Sequence, residues 1–583
     1  MGGVSREADA TTPKDGPGRG RGRALRVLLG AASGLIAGFG ALAAAELVSA
    51  AVRPGASPVT VVGGAAVDRT PPGLKDFAVR HFGTNDKAVL QLGIVVVLGL
   101  FAIAIGVIAT RHRRIGATAA LAFGAVGVAA AASRPDAQPT DVLPSAVGGV
   151  VAFALLYWLA GRAREPYGAA TGRPAPASAH APGSAAEPAP AAAGAAPGPD
   201  AGERISGGGP SGGGGGATGG TFDRRGFVVA ATAAVAASAG AGALGRYLNA
   251  DKAAQQAASR ADITLPRPAS PARPVPSGVH PDVEGLSSFF TSNKDFYRVD
   301  TALSVPHVDA TSWRLRLHGK GVSRPVTLTF QDLLRRELVE RDITLTCVSN
   351  EVGGPYVGNA RWIGVRLADV LSEAGVKPPS HGGPADQLVA RSVDGMTIGS
   401  PVETVMDGRD ALLALGMNGE PLPFAHGFPV RMVVPGLYGY VSACKWLTDL
   451  ELTTFDDFDA YWVKRTWSRK APIKTESRID TPRPFASPEA GTVPVAGVAW
   501  AQHKGIAKVE VRVDGGPWHE AKLGAQDTSD TWRQWVWPWQ ATSGRHTLEV
   551  RATDRTGYTQ TDKRVGTVPN GATGRHSVVV SVP

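Results

Sequence analysis

The sequence predicts three structural classes in one chain. They are an N-terminal α-helical transmembrane domain of about five spans, an α+β domain, and a C-terminal all-β sandwich. Three observations carry this. Five apolar runs fall before residue 250, each near the roughly 20 residues a helix needs to cross a bilayer. Residues 283–472 mix strand-like alternation with short helical patterns. From about residue 473, short alternating runs punctuated by turn signals take over. At roughly 100–200 residues per domain, 583 residues allow about three or four units. Only 2 cysteines exclude a disulfide scaffold and a Cys-rich zinc or iron–sulfur protein.

The apolar runs are 27–50, with the single acid Glu46; 88–110, without a charge; 115–132, rich in Ala and Gly; 142–161; and 226–245, again uncharged. Small residues let helix backbones approach closely in lipid. Residues 1–164 are therefore read as a four-span domain and 223–246 as a fifth span. The alternative is a four-helix bundle with one buried soluble helix. The net charge of +10 sits mostly in this half, with 22 basic and 14 acidic residues in 1–250 against 38 and 36 in 251–583. With the N-terminus inside, the cytoplasmic pieces hold 15 of the 22 basic residues, as the positive-inside rule requires. The charge thus points to a membrane and not to nucleic acid. Five spans place everything after residue 246 outside: a multi-pass plasma-membrane protein with an extracytoplasmic domain. The spans lack paired histidines for haem and read as an anchor.

Residues 165–222 are a Pro/Ala/Gly linker (APASAHAPGSAAEPAP, then GGGPSGGGGGATGG). Such composition cannot bury a core and is read as disordered. The Gly run is not a phosphate-binding loop, because no Gly-Lys-Ser/Thr follows. Arg224-Arg225 before an Ala-rich apolar segment reads as a twin-arginine-like export signal or as an ordinary positive flank. Residues 247–282, rich in Ala, Ser and Pro, read as an extended tether.

In 283–472, Trp313–Leu317, Asp342–Cys347 and Phe428–Val434 have strand patterns, while Leu328–Leu334 and Arg366–Leu371 are helical. Cys347 ends the second strand in Thr-Leu-Thr-Cys-Val-Ser-Asn. It reads as a buried small hydrophobe, as half of a disulfide with Cys444, or as a soft thiolate ligand for a transition metal. Zinc is excluded, since no second Cys or His lies at ligand spacing.

An ordered set of motifs then narrows the reading: Phe296–Asp300, Thr346–Asn350, Ala360–Leu367, Met417–Pro423, His426–Arg431, Val434–Gly436, and Ser442–Trp446. This set resembles the sulfite oxidase-fold family of molybdopterin-dependent oxidoreductases, in its bacterial membrane-anchored form, over about 290 residues with the last domain included. The resemblance implies that 283–472 is the sulfite oxidase-fold molybdopterin domain, and it implies a molybdenum–molybdopterin cofactor. It implies that Cys347 is the molybdenum ligand and the catalytic centre. It implies cofactor binding by Asn293, Tyr297, Arg298, Cys347, His426, Arg431, Ser442, Ala443 and Lys445. Arginine suits such a site because its planar fork matches phosphate oxygens. Gly436 and Gly439 would let the main chain approach the pterin. Trp362 and Trp446 read as core.

The departures from the family pattern bear on substrate. After Asn350, where sulfite oxidases carry two anion-binding arginines, Glu351 and Val352 stand. Met396 falls where the family places a tyrosine near the metal. A small sulfite dianion is therefore disfavoured. No Cys-x-x-Cys-His haem motif is present. Residues 473–583, with Val509–Val513 running into Asp514-Gly515, a strand at Thr547–Thr553, a final strand at His576–Val582 and the aromatic Trp532–Trp539 run, read as a sandwich. The region resembles the immunoglobulin-like dimerisation domain of the family, which implies a homodimer; the alternative is a packing domain without a partner. The expected function is oxygen-atom transfer on a small-molecule sulfur or nitrogen compound, with an unidentified electron-transfer partner. The alternatives are a reductase of oxidised thioethers (sulfoxides) and a cofactor-free extracellular binding module.

Overall fold

The computed structural model describes residues 17–70, 86–134, 137–163 and 224–583. The linker 165–222, and with it the expectation of disorder there, lies outside the described residues. So do the side chains of Arg224 and Arg225.

The first half is helical: α1 (Pro17–Val52), α2 (Pro58–Arg69), α3 (Asp86–Arg111), α4 (Arg113–Ala132), α5 (Leu143–Arg162) and α6 (Arg224–Ala261). Among the described residues, five helices are long and apolar enough to cross a membrane; they coincide with the five apolar runs. Helix α1 packs against α3, α5 and α6. Where α1 meets α3, a Cβ on Gly34 or Gly106 would strike the facing backbone, so glycine is what permits that approach. Helix α2 is an addition to the sequence reading. Its 12 residues are too few to span, and it buries Val61, Gly63, Gly64 and Ala65.

Helix α6 corrects the reading of 247–282 as an extended tether. The helix continues to Ala261, because Ala, Gln and Lys between 250 and 258 favour helix until the Pro-rich stretch stops it. Its end reaches the central domain, where Arg260 donates to the Leu422 carbonyl at 2.8 Å and pairs with Glu420 at 3.1 Å. The chain beyond lies along that domain: Ala269 N–H donates to Leu338 O at 2.8 Å and Glu340 N–H to Ser270 O at 2.9 Å.

The central domain holds β1 (Arg314–Gly319), β2 (Val326–Thr329), β3 (Val339–Thr346), β4 (Val357–Arg366), β5 (Gln387–Ser392), β6 (Thr397–Pro401), β7 (Leu412–Met417), β8 (Glu420–Pro421), β9 (Arg431–Val433) and β10 (Leu447–Thr453). One sheet runs β2-β1-β10-β5-β6, with β1 and β10 parallel. The other runs β3-β4-β7-β8, with β9 paired to β7, so β3 is an edge strand. Short helices such as Phe330–Leu334 and Leu367–Glu373 complete the α+β arrangement. Trp362 is fully buried and donates from Nε1 to Ile343 O at 3.1 Å, so it is core as expected.

The C-terminal region is all β: β11 (Glu476–Thr481), β12 (Gly491–Trp500), β13 (Ile506–Val513), β14 (His519–Glu520), β15 (Lys522–Leu523), β16 (Arg533–Ala541), β17 (Gly544–Asp554) and β18 (His576–Val582). Two four-stranded antiparallel sheets, β11-β12-β16-β15 and β14-β13-β17-β18, share an apolar core that includes Trp535 and Trp539. Asp514 and Gly515 both have positive φ, the conformation a tight hairpin turn requires.

Candidate active site

Strand β3 delivers Cys347 just past its last residue. The Cys347 N–H donates to Tyr356 O at 2.9 Å, and the Asn350 N–H donates back to Cys347 O at 3.0 Å, closing a turn. That turn aims the Ser349 N–H at Cys347 Sγ, 3.4 Å away. Burial pushes the thiol up, while the Ser349 N–H and the Lys445 charge pull it down. Both cysteines are free and buried, which removes the disulfide reading.

Cys347 opens into a cavity of about 100 Å³ shared with Tyr297, Arg431, Ala443, Cys444 and Lys445. Arg431 comes from β9, is 6% exposed, and lies over the Trp362 ring at 5.2 Å. Its Nη1 donates to His426 O at 3.3 Å, and its Nε has no partner. Burial pushes the guanidinium down to about 10, so it stays charged at neutral pH. Lys445 pairs with Asp300 at 2.7 Å, and Arg298 meets the same carboxylate at 2.8 Å. Tyr297 stacks on Phe296 at 5.2 Å. Burial, and after it the nearby Cys347, raises its hydroxyl.

The remaining expected residues stand behind this wall. His426 is buried, and its Nε2–H donates to the Asn293 carbonyl at 2.8 Å. Burial, then the Arg431 charge, pushes it down to about 4, so the ring is neutral. Asn293 binds Glu420 at 2.6 Å and Asn418 at 2.9 Å through its side chain, away from the cavity. The Ser442 hydroxyl is turned to the main chain, donating to Leu437 O and Tyr438 O. Gly439 lines the cavity. Gly436 does not: its positive φ and its contact with Arg409 make it a turn residue, correcting the expectation of close approach to a pterin.

Met396 lines the cavity, whereas Glu351 is exposed and Val352 half-buried, and neither is among the lining residues. Sequence reasoning missed Asp300, Asp394, Tyr440 and Trp462 as lining residues. Asp300 had a local signal, since Arg298-x-Asp300 within the entry segment offers a pair two residues apart. A second recess beside the cavity shares Thr301, Asp394 and Met396 with it, and adds Tyr461 together with Gly64, Asp68 and Arg134 from the helical half. No spacing in the sequence connects those residues.

A family model described as the oxidoreductase molybdopterin binding domain matches residues 302–462. Mitochondrial sulfite oxidase of Mus musculus is 29% identical over 303 residues, covering 46% of this chain and 55% of that protein. Gallus gallus sulfite oxidase is 30% identical over 310 residues, 46% and 66% respectively. The uncharacterized oxidoreductase YuiH of Bacillus subtilis is 34% identical over 156 residues, 27% of this chain and 72% of that one. The chain belongs to the sulfite oxidase-fold family of molybdopterin oxidoreductases. With membership comes the molybdenum–molybdopterin cofactor of the family. The chain spans about half the length of the mammalian sulfite oxidases it matches. The solved structure of the sulfane dehydrogenase SoxCD from Paracoccus pantotrophus superposes with a TM-score of 0.44 at 25% identity, over 51% of this chain and 84% of that one.

The residues present fit the family cofactor. A buried thiol stands in one cavity with a buried cationic donor whose Nε is unsatisfied. Such a donor is costly to bury unless an anionic acceptor joins it.

Proposed function

We propose that the protein is a membrane-anchored, extracytoplasmic molybdenum–pterin oxidoreductase that moves an oxygen atom to or from a small sulfur or nitrogen compound. The observation that carries this is the convergence of Cys347 and the half-satisfied Arg431 on one cavity. When bound, the cofactor supplies two-electron oxygen-atom transfer. Cys347 would hold the metal as a thiolate, steadied by the Ser349 N–H and the Lys445 charge. Arg431 would bind the anionic part of the pterin, and neutral His426 fixes the Arg431 guanidinium through its carbonyl. Arg298 and Lys445 keep Asp300 paired, so that carboxylate does not repel the cofactor.

The substrate end favours a neutral molecule over a dianion. It offers Met396, Ile398, Tyr440 and Trp462, and the arginines that sulfite oxidases place after Asn350 are replaced. Reduction of a sulfoxide to a thioether fits this lining; it consumes two electrons and two protons, releases water, and draws the electrons from an electron-transfer partner. Orientation with the N-terminus inside, twin-arginine export and a homodimer belong to the same reading. Contacts of α2, which lies between spans α1 and α3, and of the α4–α5 connection with the central domain support the orientation, because that topology puts both outside.

The test is metal and pterin analysis of the full chain from a molybdenum-replete host, followed by turnover of sulfoxides, N-oxides and sulfite. About one molybdenum per chain is expected, with Cys347→Ser losing turnover by about a thousandfold or more. A wild-type protein without molybdenum would overturn the proposal.

A further inference from the structure

Strand β3 is the edge of its sheet, and an edge leaves unpaired N–H and C=O groups. The C-terminal region fills that edge at the end nearest Cys347. The Thr344 N–H donates to Asp530 O at 2.9 Å. The Gln502 amide spends both donors on β3, giving one to Thr344 O at 3.0 Å and one to Thr346 Oγ1 at 2.9 Å. The Trp532 N–H donates to Thr344 Oγ1 at 2.8 Å, and that hydroxyl donates on to Asn359 Oδ1 at 2.9 Å. Thr344, Thr346, Gln502 and Trp532 are all buried.

The far side of the thiol-bearing turn is held by the same region. Arg478 donates to Gly354 O at 2.9 Å, and the His576 ring sits where a side chain on Gly353 would have to go. The segment 347–352 is thus gripped on both flanks by residues more than 100 positions downstream.

We infer that the C-terminal region positions the Cys347 thiol, and that Gln502 is the positioning residue, acting through Thr344 and Thr346. This rests on the reading of Cys347 as the metal ligand. A thiol whose preceding residue is fixed by a buried, two-pronged amide cannot swing without leaving Thr344 O and Thr346 Oγ1 unsatisfied, and that penalty is what holds it.

Two readouts on the full chain separate positioning from folding. The first is the labelling rate of Cys347 by a maleimide in metal-free protein on a Cys444→Ser background. The second is the molybdenum(V) electron paramagnetic resonance spectrum of loaded protein. Gln502→Leu should raise the labelling rate about tenfold or more and shift the spectrum, while kcat falls and KM stays constant. Thr346→Val, which keeps the shape and removes one acceptor, should move both readouts the same way by less, and it serves if Gln502→Leu does not fold. Gln540→Leu, on the exposed face of β16, should change neither. Unaltered labelling and spectrum in folded Gln502→Leu and Thr346→Val would overturn the inference. Wild-type protein without molybdenum would overturn the metal reading alone, since the labelling rates still report on the clamp.

Discussion

The central domain meets the rest of the molecule across two surfaces of opposite character. Toward the C-terminal region the surface is buried and continuous. Trp500 and Trp532 belong to the same buried cluster as Leu345, Val348 and Trp362, and the Gln502 and Trp532 hydrogen bonds run through it. Toward the helical half the described hydrogen bonds and ion pairs are partly exposed, beside the packing of Leu303 on Gly63. The Tyr461 hydroxyl donates to Asp68 at 2.6 Å, and Arg465 donates to the Asp68 carbonyl at 3.2 Å, with the Asp68 side chain 24% exposed. Among the described residues, none of α1–α5 joins the central cluster. Buried apolar area and unsatisfiable polar groups set stability, whereas exposed ion pairs contribute little. The central and C-terminal domains should therefore unfold as one unit, with the helical half adjoining it.

The largest effect should come from the buried surface. Trp532→Ala removes a buried ring and its Nε1 bond to Phe289 O, 3.0 Å long. It should cost roughly 3–5 kcal/mol, read by urea denaturation with tryptophan fluorescence. One cooperative transition at lower urea is expected. Two separated transitions in the wild type would break the claim that these domains form one unit.

Glu476 sharpens the same surface through pH. It begins β11, is 3% exposed, and its Oε1 has no partner. Burial pushes its carboxyl up to about 8. Between the ordinary glutamate range and that value the folded protein keeps a proton that the unfolded chain releases. Stability therefore falls as pH rises through this window, and the full benefit is present only below it. Glu476→Gln carries no titrating proton. It should be more stable than wild type by about 2–4 kcal/mol at pH 8 and nearly equal to it at pH 4.5. Parallel stability–pH curves for the two proteins would show that Glu476 ionises at its ordinary value.

How far this contrast was legible in the sequence depends on the range of each signal. The five long helices follow from hydropathy over windows of about 20 residues, whereas α2 is short and glycine-rich and left no such mark. Cys347, Arg431 and Lys445 stand in motifs whose order survives divergence. The strand patterns of β13, β17 and β18 and the aromatic run of β16 exposed the C-terminal region as β-rich. Asp394, Tyr440 and Trp462 reach the cavity by tertiary folding alone. Asp68 and Arg134 reach the neighbouring recess the same way, since no local pattern ties them to its other residues far downstream. The Ser442 hydroxyl faces its own turn because a tight bend there leaves two carbonyls to satisfy. The motif named the residue, but only the backbone around it says which way its oxygen points. The same holds for Gln502, an unremarked amide in the sequence whose partners stand on an edge strand 156 and 158 positions upstream.

The smallest effect belongs to the polar surface. Asp68→Ala deletes the acceptor of the Tyr461 hydroxyl and an ion pair with Arg465 of 3.8 Å. A partly exposed pair of this kind contributes about 0–1 kcal/mol, so the urea midpoint and the molybdenum content should hardly move. Asp68 also walls the recess that shares Thr301, Asp394 and Met396 with the cavity, and its removal widens that recess. The expected signature is a change in KM of at most about fivefold for a bulky diaryl sulfoxide, with dimethyl sulfoxide unaffected and kcat constant for both. The constancy of kcat is the informative part, because the thiol is held from the opposite side by Gln502, Arg478 and Trp532. If Asp68→Ala instead lost molybdenum or lowered kcat, the helical half would share in holding the catalytic geometry, and the division between a structural surface and an access surface would fall.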